Sequence, residues 1–381
     1  MSPTATWSYP TTIRFGAGRI AELPEACGAA GISRPLLVTD RGLAGLPITQ
    51  SALDLMEGAG LGRALFAEVD PNPTDLNLAA GIEAFRTGDH DGVVAFGGGS
   101  GLDLAKMVAF MAGQTRPVWD FEDVGDWWTR ADGDAIYPNV AVPTTAGTGS
   151  EVGRASVLTN SETHTKKVIF HPKVLPSQVI ADPGLTVSMP RAITVGTGMD
   201  ALAHCLEAYC SPHYHPMSAG IALEGMRLVF ENLPRALADP GDLTARAHMM
   251  SAAAMGAVGF QKGLGAIHAL SHPVGAVYNT HHGMTNAVVM SAVLAFNRDA
   301  IAEPLSRAAS YCGIAGGFEG FAAHIQGLCT ELGVPERLSA LGVGTDRIAH
   351  LAEMAVVDPT AGGNPVPLTV AAARTLFEQV I

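Results

Sequence analysis

Through the first half of this chain, short apolar runs alternate with stretches whose apolar residues recur at helical spacing. PLLVTD (35–40), GRALFAEV (62–69), GVVAFGGG (92–99), NVAVPTT (139–145) and QVIADP (178–183) read as strands, with 77–87 and 101–112 as helices between them. A strand–helix–strand alternation returns the chain to the same end of a sheet, so its strands pair in parallel. The first half is therefore predicted to be a Rossmann-like α/β layer with a mainly parallel sheet. After about Leu185 the strand-like runs cease, and residues 190–381 are rich in Ala, Leu and Met at helical spacing. Pro190, Pro234, Pro240, Pro273 and Pro335 are the predicted helix boundaries, because proline lacks an amide hydrogen and restricts its predecessor. The expected division is an α/β domain of residues 1–185 and an all-α domain of residues 186–381. Ligand sites favour the cleft between two such domains.

Composition narrows the partners. At 381 residues the chain has room for two cores, and 48% hydrophobic with 15% charged residues describes a packed globular protein. A net charge of −13 argues against nucleic acid and anionic membrane, both of which reward clustered Lys and Arg. Cys27, Cys205, Cys210, Cys312 and Cys329 are odd in number and contain no CxxC pair, which suits a reducing compartment. The N-terminal MSPTATWSYPTTIRFGAG lacks the basic and apolar regions of a signal peptide. The most apolar stretch, 249–260, falls short of the ~20 residues of a membrane span. A soluble cytoplasmic protein is expected.

Two loops point to phosphate or ribose. In GVVAFGGGSGLDLAKMVA a buried strand passes into a helix through Gly97, Gly98, Gly99 and Ser100. Glycines there let backbone amides approach phosphate oxygens, and the helix N-terminus favours negative charge. The run matches neither GxGxxG nor a P-loop, and alone it serves equally as a tight turn. Asp103 in that first helical turn either complements the dipole or holds a cofactor hydroxyl. PTTAGTGSEVGR (143–154) offers Thr144, Thr145, Thr148 and Ser150, which alone would read as local capping hydroxyls. Two such loops in one α/β half shift the reading to a dinucleotide. Asp40, closing PLLVTD, either caps the next turn or accepts from a ribose 2′-hydroxyl and repels a 2′-phosphate.

The second half carries metal-type spacing. Asp200 and His204 stand four apart in GMDALAHCLEAY, about one helical turn, and so share a face. His268 and His282 lie in HALSHPVGAVYNTHH. One carboxylate with three imidazoles suits a divalent transition ion. The bland alternative is four independently satisfied polar residues. His272, four after His268, is an alternative ligand or a cleft residue, with Pro273 placed to disturb that register. His281 leaves a one-residue ambiguity beside His282. His90, His164, His171, His213, His215, His248, His324 and His350 show no comparable pattern and read as surface or core residues.

These strings together resemble the iron-containing (group III) alcohol dehydrogenase family, which shares a dehydroquinate synthase-like fold. The likeness runs from IRFGAG (13–18) through GGGSGLDLAK, PTTAGTGSEV, GMDALAHCLEAY and GLGAIHALSHPVGAVYNTHHG to GGNPVPLT. It implies metal ligands at Asp200, His204, His268 and His282. It implies a cofactor pyrophosphate at Gly97, Gly98, Gly99 and Ser100, with Thr144, Thr145 and Thr148 along the same cleft. Asp40 falls where the family selects NAD over NADP, and His272 matches a histidine near nicotinamide and substrate. A family lysine near the cofactor maps to Lys166, with Lys167 as the alternative.

The expected activity is reversible hydride transfer between NAD(H) and a small alcohol/aldehyde pair, with a metal as Lewis acid on the substrate oxygen. Fe(II) is the metal the family name implies, Zn(II) being acceptable to the same donors. A homo-oligomer is expected from the same resemblance. Three rivals stand beside it: a polyol or hydroxyacid dehydrogenase of the same fold, a dehydroquinate synthase-like lyase, and a non-catalytic nucleotide- or metal-binding protein. The lyase calls for a basic, phosphate-anchoring set around residues 250–285, and none is evident there. The aromatic and acidic segment 117–132 reads either as a lid or as a surface excursion anchored by Trp119, Trp127 and Trp128.

Overall fold

The computed structural model describes residues 11–163 and 165–381. The reading of the extreme N-terminus as free of a signal peptide falls largely on residues 1–10, outside the described residues, as does the reading of His164. The chain divides into two compact units, one including residues 11–145 and Gly149–Ser188, the other including Ala146–Thr148 and Met189–Ile381.

The first unit is built on a six-stranded parallel sheet in the order β1-β8-β5-β4-β2-β3. Its strands are β1 (Thr12–Phe15), β2 (Pro35–Asp40), β3 (Leu65–Val69), β4 (Gly92–Gly97), β5 (Asn139–Pro143) and β8 (Gln178–Ala181). Helices α1 (Leu23–Ala29), α2 (Pro47–Gly58), α3 (Asp75–Thr87) and α4 (Gly99–Met111) make crossovers. The central strands are buried on both faces, every residue of β4 and β5 being buried, as covered parallel sheets require, whereas the edge strand β3 leaves Leu65 and Glu68 exposed. One core cluster joins Leu37, Val94, Phe96, Val140, Val142 and Ile180 of the sheet to Leu23, Ala26, Leu53 and Met56 of α1 and α2. The chain steps outward from β2 to β3 and then returns to lay β4 on the other side of β2. The strand order reverses there, and open α/β sheets bind ligands at the carboxyl ends flanking such a point.

A two-stranded antiparallel hairpin, β6 (Ala155–Asn160) and β7 (Thr165–Phe170), stands outside this sheet. The sequence reading did not single it out, because its polar, Lys- and Thr-bearing strands carry no buried apolar run. The segment 117–132 forms short 3-10 turns against it: Phe121 is buried, Trp128 meets Phe170 and His171 edge-on, and Arg130 lies over the Trp127 ring.

The second unit is helical: α5 (Arg191–Cys210), α6 (Pro216–Ala238), α7 (Leu243–Gly259), α8 (Ala266–Tyr278), α9 (His282–Tyr311), α10 (Gly317–Leu332), α11 (Ile348–Val357) and α12 (Val370–Val380). Pro190 caps α5, and Pro240 and Pro335 lie between helices, as expected. Pro234 and Pro273 do not end helices: they lie inside α6 and α8. A proline removes one backbone bond and leaves the flanking turns to hold the helix. Pro273 is buried within a packed helix face, so tertiary contact offsets the missing bond. Among the described residues no helix is long and apolar enough to cross a membrane.

Candidate metal centre and cofactor loops

Three helices each contribute an i,i+4 pair to one point. Asp200 and His204 lie on α5, His268 and His272 on α8, and His282 and Asn286 on the first turns of α9. The helix carries its register through Pro273, so His268 and His272 keep a common face. The approach of α9 to α5 depends on Gly283, where an added Cβ would stand 1.9 Å from the Gly196 carbonyl oxygen and 3.0 Å from the Asp200 Cβ. That contact sets His282 beside Asp200.

The Asp200 Oδ1 lies 3.4 Å from His282 Nε2, 3.8 Å from His268 Nε2 and 3.9 Å from His204 Nε2. Ligating atoms of Asp200, His204 and His268 all fall within 4.8 Å of one another. The His204 and His268 rings stack at 4.7 Å, and the His282 ring stands 5.2 Å from that of His268. These separations exceed good hydrogen bonds. They approach the ~3.4 Å edge of a tetrahedron with ~2.1 Å metal–nitrogen bonds. Three imidazole nitrogens and one carboxylate oxygen, gathered about Asp200 Oδ1, fit a divalent transition ion.

Electrostatics agree with that use. Burial holds His204 down to about 4, against the pull of Asp200, so its ring is neutral and able to ligate. His268 differs. Burial lowers it, but Glu207, through charge and hydrogen bond, with Asp200 and Asp358, outweighs burial and leaves the ring above the ordinary value. Its Nδ1 lies 2.6 Å from Glu207 Oε2, which directs Nε2 toward the cluster. A cation there competes with a proton for the same ring.

His281 and His282 separate cleanly. His281 is the N-cap of α9, its Nδ1 accepting from the Met284 amide, and its ring lies against Gly196. His272 stacks on His282 at 5.3 Å and places Nδ1 2.9 Å from Asp358 Oδ2. Asp358 also accepts from the Thr360 amide and hydroxyl. Burial raises that carboxyl, but His272 and Thr360 hold it below the usual range.

In the α/β unit the chain brings together Asp40, the Gly97–Ser100 run and Thr144–Thr145. Asp40 ends β2, Gly97 ends β4 and Thr144 follows β5, on adjacent strands of the sheet. Gly97 takes φ +148, closed to most side chains, and its carbonyl accepts from the Thr144 amide at 2.9 Å. A Cβ on Gly98 would lie 3.1 Å from Thr145 Cγ2, so the two loops touch. Asp40 Oδ1 accepts from the Leu43 amide at 3.0 Å, and Ser100 donates to the Pro71 carbonyl. Asp103 is engaged internally, accepting from the Ser150 hydroxyl and from the Val157 amide at 2.9 Å. Thr148 belongs with Ala146 and Gly147 to the helical unit. On β7, Lys166 pairs with Thr159, whereas Lys167 donates to Glu122 at 3.0 Å.

Glu207, Asn286 and Asp358 bond to candidate site residues, and Lys106 to the loop after β5, and the sequence reading singled out none of the four. Glu207 follows His204 by three and Asn286 follows His282 by four, so helical spacing could have found both. Asp358 lies 86 residues from its partner and leaves no local signal. Lys106 is fully buried, donating to the carbonyls of Ser150 at 3.0 Å and Ala155 at 2.6 Å, and so ties α4 to the loop after β5.

A parallel-sheet unit with paired glycine and threonine loops, joined in one chain to a helical unit with a His/carboxylate cluster, has the outline of a metal-dependent dehydrogenase. Residues 10–183 match the model of the iron-containing alcohol dehydrogenases, and residues 194–381 match that of the Fe-containing alcohol dehydrogenase family's C-terminal domain. The chain belongs to the iron-containing alcohol dehydrogenase family and stands with it among NAD- and iron-using alcohol oxidoreductases. It is 38% identical to 4-hydroxybutyrate dehydrogenase of Cupriavidus necator over 97% of this chain and 98% of that one. The solved 1,3-propanediol oxidoreductase superposes with a TM-score of 0.94 at 35% identity, covering 99% of this chain and 100% of that one. Sulfoacetaldehyde reductase from Bifidobacterium kashiwanohense, solved in complex with NAD+, gives 0.89 at 30% identity over 99% and 98%.

Proposed function

We propose that this alcohol dehydrogenase interconverts a small primary alcohol bearing a second polar group and its aldehyde, with NAD(H) as the hydride carrier. The observation that carries the reading is the convergence of Asp200, His204, His268 and His282 on one point. Support for the substrate class comes from the relatives named for 4-hydroxybutyrate, 1,3-propanediol and sulfoacetaldehyde. Residues 1–185 are assigned to NAD and residues 186–381 to the metal, with Ala146–Thr148 built into the helical unit.

The four ligands would hold Fe(II), with Zn(II) acceptable to the same donors. A bound divalent ion supplies Lewis acidity toward the alcohol or carbonyl oxygen, while the dinucleotide supplies the hydride acceptor or donor. Around them the protein's own groups do the positioning. Glu207 fixes the tautomer and tilt of His268. Asp358 holds the Nδ1 proton of His272 and leaves Nε2 to exchange a proton with substrate or water. Gly97, Gly98, Gly99 and Ser100 offer backbone approach to the pyrophosphate, with Thr144, Thr145, Thr148 and Lys166 as further cofactor contacts. Asp40 selects against a 2′-phosphate. Asp103 is assigned to the cofactor loop through its bond to Ser150 rather than to the cofactor directly. A cytoplasmic homo-oligomer is the proposed working form, and light scattering on the purified protein measures its size.

The test is metal analysis of anaerobically purified protein joined to an NADH-linked panel of ω-hydroxy, ω-carboxy, sulfonated and plain aldehydes. Asp200→Ala and His204→Ala are expected to lose bound metal and nearly all turnover while remaining folded. Wild-type metal content in both variants defeats the ligand assignment, and preference for plain alkanals defeats the substrate class.

A further inference from the structure

The side chain of Asn286 lies among the four ligands, yet it is not one of the residues whose spacing suggested a metal. It follows His282 by one turn of α9 and is fully buried. Its Nδ2 stands 2.8 Å from Asp200 Oδ1, 3.2 Å from His282 Nε2 and 3.4 Å from His268 Nε2. A carboxylate has only acceptors to offer, so the amide must turn its nitrogen to Asp200. The oxygen so engaged is the one on which the three imidazoles converge.

The other end of the same amide is costly. Asn286 Oδ1 is buried with no hydrogen-bond partner, which counts against folding. Another buried asparagine in this unit shows what a purely structural one looks like. Asn364 accepts from the Ala266 amide and from Asn297, and donates to Asn297 and the Val366 carbonyl. A half-satisfied buried amide also occurs away from the cluster, at Asn139, whose Nδ2 donates to the Val174 carbonyl while its Oδ1 has no partner, so what sets Asn286 apart is where its donor points. Asn286 is half satisfied, and its satisfied half is aimed at a ligand.

We infer that Asn286 is a positioning residue of the metal centre, its amide N–H locking the Asp200 carboxylate in the orientation that ligation requires. This rests on the assignment of Asp200, His204, His268 and His282 as ligands. An outer residue that orients a ligand typically contributes 10–100-fold in metal affinity.

The experiment uses the full chain, stripped of metal, titrated with Co(II) against a competing chelator, with visible spectra and metal-free melting curves recorded in parallel. Asn286→Leu keeps the shape and removes both polar atoms. It is expected to weaken Co(II) binding by about 10–100-fold without lowering the metal-free melting temperature. Asn286→Asp keeps the shape but sets a second carboxylate against the ligands, and is expected to shift the Co(II) visible bands. A folded Asn286→Leu protein with wild-type Co(II) affinity overturns the inference. So does an Asn286→Asp spectrum identical to wild type, which decides the matter alone if the leucine variant does not fold. Wild-type protein that takes up no Co(II) overturns the four-ligand reading itself, and this inference with it.

Discussion

Glu207 grips the start of α8 with both carboxylate oxygens: Oε2 lies 2.6 Å from His268 Nδ1, and Oε1 accepts from the Ile267 amide at 2.6 Å. One side chain on α5 thereby fixes both the position of the neighbouring helix and the ring orientation of its ligand. Substituting Gln keeps the shape but presents an amide in place of a full negative charge. Glu207→Gln is expected to weaken metal binding by about 10–100-fold, read by chelator competition. Unchanged affinity would show that His268 needs no such partner.

His272 and Asp358 form a second oriented pair, 2.9 Å apart. Removing a positioned acid–base group typically costs ~100-fold or more in turnover. His272→Ala should lower kcat on that scale with little change in KM for the aldehyde. Asp358→Asn should lower it less, because the ring remains and only its tautomer is released. Steady-state kinetics on both variants checks this, and wild-type kcat in His272→Ala removes the residue from proton transfer.

At the end of β2, Asp40 already accepts from the Leu43 amide, so its change has two readouts. Asp40→Gly should raise kcat/KM for NADP relative to NAD by about tenfold or more, ~1.4 kcal/mol. Loss of the turn bond should also cost about 1 kcal/mol of stability. A melting-temperature drop with unchanged cofactor preference would leave Asp40 as a cap and nothing else.

Burial pushes the Glu151 carboxyl from 4.5 up to about 7, with its own backbone and Lys106 pulling the other way. Its folded value lies above its unfolded one, so the folded state binds the extra proton. The resulting stability is full below about pH 4.5, declines as pH rises, and is gone above about 7. Glu151→Gln carries no such dependence. Its stability relative to wild type, followed by melting temperature, should climb between pH 4.5 and 7 and then level off, the gain being on the order of 3 kcal/mol or less. A difference that stays flat across that window would mean the carboxyl is ionised throughout.

Periodicity made the parallel sheet, the helical second half and the Asp200–His204 pair legible, whereas the choice of His268 and His282 beside them came from the family resemblance. Each of these is written locally: GVVAFGG buries both faces of β4, and Asp200–His204 repeats at helical spacing. Backbone geometry converts such spacing into a shared face without help from the rest of the chain. His281 and His282 could not be separated that way, since adjacent residues differ only by where the helix begins. The cap at His281 and the contact of Gly283 with Gly196 set His282, not His281, beside Asp200.

The sequence by itself determined which groups the protein has to work with: one carboxylate and several imidazoles at helical spacing, two glycine- and threonine-rich turns, and an acid at a strand end. Only the tertiary structure decided what those groups are held by. Glu207 on His268, Asn286 on Asp200, Asp358 on His272 and Lys106 on the Ser150 and Ala155 carbonyls each join distant parts of the chain. Proline punctuation misled at Pro234 and Pro273 for the same reason, because packing kept helices intact where local rules end them. Local geometry is encoded residue by residue, whereas the partner of a buried polar group is chosen by the close packing of helices that meet only once the chain has folded.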